Sequence, residues 1–118
     1  MPKKIMVVDD DPNIVDYLVN IFEDNGYATC SASDGSKALG VMKEEKPDLV
    51  TLDLEMPQEW GPRFYRAYTK DPELKETPVI IISGLSSIDY AIRKAAAAIK
   101  KPFDPEHVLS VVKRTLGD

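Results

Sequence analysis

Short apolar runs recur along the chain without the alternation of a strand that keeps one face in water: Ile5-Met6-Val7-Val8, Leu49-Val50-Thr51-Leu52 and Val79-Ile80-Ile81-Ile82. Runs of this kind predict strands covered on both sides, as in parallel sheets. Between them the apolar spacing changes to three and four residues. Ile14, Val15, Leu18, Val19 and Phe22 make one helical stripe, Ala38, Leu39 and Met42 a second, and Val108, Leu109, Val112 and Leu116 a third. Asp11-Pro12 and Asp104-Pro105 each pair a capping carboxylate with proline at the first helical position, where its missing N–H costs nothing, and Asp34 can cap the helix that carries Leu39. Gly26 closes the first helix, and residues 27–31 read as a second strand of weaker pattern.

With a fifth strand expected just before Lys101, strand and helix alternate through roughly five βα units. Right-handed crossovers and two-sided burial favour an α/β fold, a flavodoxin-like doubly wound (βα)5 with a five-stranded parallel sheet, although the pattern alone does not encode the strand order. Ligands in such sheets bind beyond the carboxyl ends of the strands. No repeat or low-complexity tract appears, and the nearest oddity is the alanine run from Ala95 to Ala98.

Composition narrows the picture. A chain of 118 residues with 43% hydrophobic content is read as one domain spanning residues 1–118 around one core. Its net charge of -5 and scattered Lys and Arg lack the electrostatic footprint of a nucleic-acid binder. The single Cys30 rules out an internal disulfide and a multi-cysteine zinc site, and fits a reducing compartment. Met1-Pro2-Lys3-Lys4 leads into only four apolar residues before Asp9, far short of a signal segment or a membrane span, so a cytoplasmic location without membrane insertion is expected.

The first strand ends in Asp9-Asp10-Asp11 and the third in Asp53, which places several carboxylates at one edge of the expected sheet. Carboxylates this close repel one another, so their gathering calls for a cation or a shared proton. Only oxygen donors are at hand, which suits a hard ion such as Mg2+, and Mg2+ commonly completes its shell with water and substrate phosphate. A phosphodonor held there would bring its phosphorus near Asp53, whose carboxylate could attack in line to give an acyl phosphate. Ser83, at the end of the fourth strand, offers a hydroxyl to a phosphoryl oxygen, and Lys101 offers a point cation. Taken singly, that serine could be a helix cap and that lysine a solvated side chain; successive strand ends make the joint placement informative.

The strings Met6-Val7-Val8-Asp9-Asp10-Asp11-Pro12, Pro47-Asp48-Leu49-Val50-Thr51-Leu52-Asp53-Leu54-Glu55-Met56-Pro57, Pro78-Val79-Ile80-Ile81-Ile82-Ser83 and Lys101-Pro102-Phe103 resemble the receiver domains of two-component response regulators, and Asp34-Gly35 and Ala38-Leu39 add weaker support. The resemblance covers essentially the whole chain. It implies that Asp53 is the phosphoacceptor and a Mg2+ ligand, that Asp10 is the closer metal ligand with Asp9 acting through water, and that Glu55 supplies its backbone carbonyl to the metal. It further implies that Ser83 is the switch hydroxyl, that Lys101 pairs with the phosphate and that Lys101-Pro102 is a cis peptide. Its partners would be a sensor histidine kinase or phosphotransfer protein and a downstream output domain or protein, with homodimerisation left open.

The chain departs from the family pattern between Ser83 and Lys101. Ala98 stands where many receivers carry Tyr or Phe, Lys94 where many have a turn glycine, and the segment is about one helical turn short. These departures suggest that phosphoryl acceptance survives while the hydroxyl-to-aromatic switch is altered. A phosphorylation-independent interaction module is the competing reading. A Mg2+-dependent phosphatase fits less well, because Glu55 stands where that chemistry expects Asp and no cap domain fits. Trp60 reads as packing or loop cover and His107 as a surface residue, while Glu55 and Leu85 flank the expected path of water to Asp53.

Overall fold

The computed structural model describes residues 2–84 and 95–118. Its strands are β1 (Lys4–Val8), β2 (Ala28–Ala32), β3 (Leu49–Leu52), β4 (Val79–Ser83) and β5 (Ala97–Lys100). The described helices are α1 (Pro12–Asp24), α2 (Gly35–Glu45), α3 (Trp60–Thr69) and α4 (Pro105–Leu116). All strand pairs are parallel, in the order β2-β1-β3-β4-β5. This is the doubly wound order, with the chain reversing direction across the sheet beside β1 and β3. The helix expected between Ser83 and Lys101, with Leu85 and Lys94, lies outside the described residues.

The two-sided burial inferred from the apolar runs is borne out residue by residue. Ile5, Val7, Leu49, Ile80, Ile82 and Ile99 face α1 and α4, which contribute Val15, Leu18, Phe22, Val108, Val111 and Val112. Met6, Val8, Val50, Leu52, Val79 and Ile81 face α2 and α3, which supply Ala38, Met42, Phe64 and Tyr68. Each such side chain taken fully out of water contributes about 1.5–3 kcal/mol, so the central strands anchor everything at their ends.

The capping aspartates act as expected. Asp11, Asp34 and Asp104 accept backbone N–H bonds from Asn13, Ser36 and Glu106, each at 2.9 Å. The second strand begins one residue later than expected, because Tyr27 closes the turn after α1 through its N–H to the Phe22 carbonyl at 3.1 Å, while its ring is buried and its hydroxyl donates to Asp118 at 3.0 Å. Two alanines of the alanine run, Ala97 and Ala98, form half of β5. Alanine favours helices, but pairing of Ala97 with Ile80 and Ala98 with Ile81 overrides that weak preference.

Cys30 lies half-buried in β2, and burial pushes its thiol up to about 11, with the Glu45 carboxylate adding to the shift and Lys4 opposing it. Thr51, at the centre of β3, is buried in the same layer as Val7 and Ile80, and its Oγ1 has no hydrogen-bond partner among the described residues. An unsatisfied buried hydroxyl costs about 1–3 kcal/mol.

Two outcomes follow. Thr51→Val, which keeps the shape and removes the hydroxyl, is expected to raise unfolding stability by about 1 kcal/mol in urea titration; a loss of stability would show that the hydroxyl is satisfied after all. Because the Cys30 thiolate forms only near pH 11, the rate of its alkylation by iodoacetamide is expected to keep rising about tenfold per pH unit from pH 8 to 10. Levelling near pH 9 would contradict the burial effect.

Candidate functional site

Strand ends deliver the site. Asp9 follows β1 and Asp53 follows β3, and the N–H of Asp53 donates to the Val8 carbonyl at 3.0 Å, continuing the ladder between them by one step. Strand alternation places both residues on the side of the sheet covered by α1 and α4. Both are nearly inaccessible, at 2% and 3% exposure, whereas Asp10 is exposed. One carboxylate oxygen from each of Asp9, Asp10 and Asp53 lies within 4.8 Å of the others.

Hydrogen bonds fix the two buried carboxylates. Asp9 Oδ1 accepts the Asp11 N–H at 3.0 Å, and Asp53 Oδ1 accepts the Glu55 N–H at 3.0 Å. Their other oxygens face one cation, with Lys101 Nζ 2.9 Å from Asp9 Oδ2 and 3.5 Å from Asp53 Oδ2. The Lys101 N–H donates to the Ser83 carbonyl at 3.0 Å, tying the end of β5 to β4, and the Lys101-Pro102 peptide is cis. Ser83 itself is fully buried at the end of β4.

Burial raises the Asp9 carboxyl above the usual carboxylate range; the bonds from the Asp11 N–H and Lys101 pull against this, and the Asp53 charge adds to it. Burial by itself would lower the Lys101 ammonium, but the hydrogen bond to Asp9 and the charges of Asp53 and Asp9 outweigh it and leave it raised. One ammonium thus faces two buried carboxylates with a third at the mouth. The residual negative charge, the all-oxygen donor set and the open side at Asp10 fit a hard divalent cation that keeps part of its water shell.

Of the six residues singled out from the sequence, Asp9, Asp10, Asp53, Ser83 and Lys101 lie at adjacent strand ends, and the backbone of Glu55 joins them through its N–H to Asp53 Oδ1. Glu55, the sixth, is exposed, and its carboxylate stands over Gly84, where an added Cβ would come within 2.9 Å of Oε1. His107 is an exposed residue of α4.

Two further contacts escaped the sequence pattern. Gly61, in the first turn of α3, packs against the loop after β3, and a Cβ there would lie 2.7 Å from the Asp53 carbonyl oxygen and 2.8 Å from Leu54 Cα. Gly35, at the start of α2, lies directly under the Trp60 side chain and leaves no room for a Cβ. Trp60 is therefore packed, with Arg63 stacked 4.0 Å from its ring. Gln58 and Glu59, at φ 58° and 57°, form the tight left-handed turn that delivers Trp60 there. The only sequence signals were the two glycines.

Comparison with known proteins agrees with this geometry. The model of the response regulator receiver domain matches residues 5–113. The chain is 38% identical over 117 residues to protein Rrf1 of Nitratidesulfovibrio vulgaris, covering 99% of this chain and 85% of that protein. It is 30% identical to the polar-differentiation response regulator DivK of Brucella anthropi, covering 100% and 99% respectively. Among solved structures, the chemotaxis response regulator CheY4 of Vibrio cholerae superposes with a TM-score of 0.87 at 27% identity, covering 98% of this chain and 100% of CheY4. No helix among the described residues is long and apolar enough to cross a membrane. The five-stranded parallel sheet, the acidic cluster at its carboxyl edge and these matches have one meaning: the chain belongs to the response regulator receiver domain family, the signalling modules of two-component systems.

Proposed function

We propose that Asp53 accepts a phosphoryl group from the phosphohistidine of a sensor kinase or phosphotransfer protein, in a Mg2+-dependent reaction, and that the modified site signals to a downstream output domain or protein by conformational change. The observation that carries this reading is the placement of Asp53, buried, within reach of Lys101 and beside Asp9 and Asp10.

In the proposed step an Asp53 oxygen attacks phosphorus in line, a P–O bond forms, the P–N bond of the donor breaks, and its electron pair leaves on the imidazole nitrogen, which takes a proton from solvent. Asp9, Asp10, Asp53 and the Glu55 carbonyl would hold Mg2+, which when bound neutralises charge on the phosphoryl oxygens. The Glu55 N–H, already on Asp53 Oδ1, keeps that carboxylate oriented. Lys101 needs only to turn from Asp9 and Asp53 toward the new phosphoryl oxygens, and Ser83 supplies a hydroxyl from β4. Burial at the strand ends limits the access of water to the acyl phosphate.

Ala98 supports a separation of acceptance from readout. It is exposed on β5 and has no ring to relocate, so the response is carried by the loops that hold Ser83 and Lys101 rather than by an aromatic at that position. The same feature favours the rival reading, a phosphorylation-independent interaction module.

Incubation with phosphoramidate and Mg2+ separates the two. Intact-mass spectrometry is expected to show one phosphoryl adduct on the wild type and none on Asp53→Asn; an unmodified wild type would establish the inert module. The sole tryptophan, Trp60, lines the groove that holds Asp10 and can report Mg2+ binding by fluorescence. Asp10→Ala is expected to weaken that binding by at least ~10-fold, and equal affinity in the two proteins would remove Asp10 from the metal site.

A further inference from the structure

From Trp60 to Lys70 the chain carries Arg63, Arg66 and Lys70 and no Asp or Glu, although its net charge is -5. Phe64 and Tyr68 turn inward from α3, and the three cations, spaced three and four residues apart, line the exposed side of the helix and the residue that follows it. Every ion pair among the described residues uses Lys3, Lys4 or Lys101, so no carboxylate there answers this stripe. Arg63 lies over the Trp60 ring at 4.0 Å, while Arg66 and Lys70 make no side-chain hydrogen bond among the described residues. Like charges at this spacing repel. The helix dipole welcomes Arg66 and Lys70 near the C-terminal end of α3 but disfavours Arg63 in its first turn, so capping does not account for the whole stripe.

Tyr65 and Thr69 form the flank of α3 next to Arg66. With Tyr68, Lys75, Glu76 and Pro78 they line a groove of about 640 Å³ between the end of α3 and the start of β4, at the opposite edge of the sheet from Asp53. Its aromatic wall is fixed: the Tyr65 and Tyr68 rings meet edge to face with centroids 5.5 Å apart, and the Tyr68 hydroxyl donates to the Thr77 carbonyl at 3.1 Å. Lys75 adds an exposed cation, opposed in the lining only by the exposed Glu76. An aromatic slot thus runs beside a row of unanswered cations. A short acidic protein segment suits it better than a long polyanion, because the overall negative charge of the chain repels nucleic acid and anionic membranes at a distance. Single carboxylates can meet the cations one by one, and the guanidinium fork matches a carboxylate in shape.

We propose that the exposed side of α3 docks an acidic segment of a partner protein, with Asp or Glu side chains set against Arg63, Arg66 and Lys70 and an aromatic side chain seated in the groove beside Tyr65. The surface is separate from the phosphoacceptor site and does not depend on the reading of Asp53. Opposite charges steer the encounter and make it salt-dependent, and the aromatic anchor sets the residence time.

The probe is a synthetic glutamate-rich peptide with one central tyrosine, titrated into the full chain and followed by amide chemical shifts, beside a counterpart with lysine in place of glutamate. The glutamate peptide is expected to shift amides of α3 and of residues 75–79, and to bind about fivefold or more weakly at physiological than at low salt. Replacing its tyrosine by alanine is expected to weaken it roughly fivefold, since the groove then loses its anchor. Arg66→Glu/Lys70→Glu is expected to weaken it by roughly tenfold or more, and to let the lysine counterpart shift the same amides instead. That exchange shows the variant folded and the charges responsible. Lys37→Glu/Lys113→Glu, which makes the same change in net charge on exposed residues elsewhere, should retain binding. Equal shifts by the two peptides at α3 of the wild type, equal loss in both double variants, or no exchange of peptide preference would overturn the docking face. Oligothymidylate bound at the same amides more tightly than the glutamate peptide would overturn the assignment to a protein segment.

Discussion

One lysine between two buried carboxylates governs this molecule. Lys101 Nζ lies 2.9 Å from Asp9 and 3.5 Å from Asp53, and both carboxylates are almost fully removed from water. Burying such charges costs several kcal/mol per ion before any pairing, so the arrangement is poor value as a stabilising device. It is balanced only in part, with two negative charges against one positive and Asp10 adding a third carboxylate at the mouth. The imbalance suits a divalent cation, and under the proposed function a phosphoryl group on Asp53 is what Lys101 would follow.

The fold exists around that constraint. Asp9, Asp53, Ser83 and Lys101 are far apart in the chain, and they meet because β1, β3, β4 and β5 run parallel and in that spatial order. Parallel strands end at one edge, and the apolar layers behind them hold those ends in register: Val7 with Thr51, Thr51 with Ile80, and Ile80 with Ala97. Gly61 then brings α3 close behind the Asp53 loop, and the bond from the Lys101 N–H to the Ser83 carbonyl closes the other side.

Much of this was legible in the sequence, for physical reasons. Apolar runs such as Val79 to Ile82 can only be buried on both faces, and Asp-Pro pairs mark helix starts by local hydrogen bonding, so strands and helices could be placed without tertiary information. The carboxylates were conspicuous because repulsion makes such a gathering costly. Strand order was not legible, since it depends on which apolar faces meet, nor was the start of β2, which Tyr27 leaves by bonding back to Phe22. The fifth strand was legible only from its place before Lys101 and in the alternation of elements, because Ala97 and Ala98 by themselves favour a helix. The contact of Gly35 with Trp60 joins residues distant in sequence and leaves only a glycine as its trace.

The central claim is that Lys101 is held by Asp9 and Asp53 until a phosphoryl group on Asp53 draws it away. A structure of the chain with beryllofluoride and Mg2+ tests this most directly. The expected result is beryllofluoride bonded to an Asp53 oxygen, a cation among Asp9, Asp10 and Asp53, and Lys101 Nζ moved onto a fluorine. Beryllofluoride absent from Asp53, or bound there with Lys101 still on Asp9, would contradict the account.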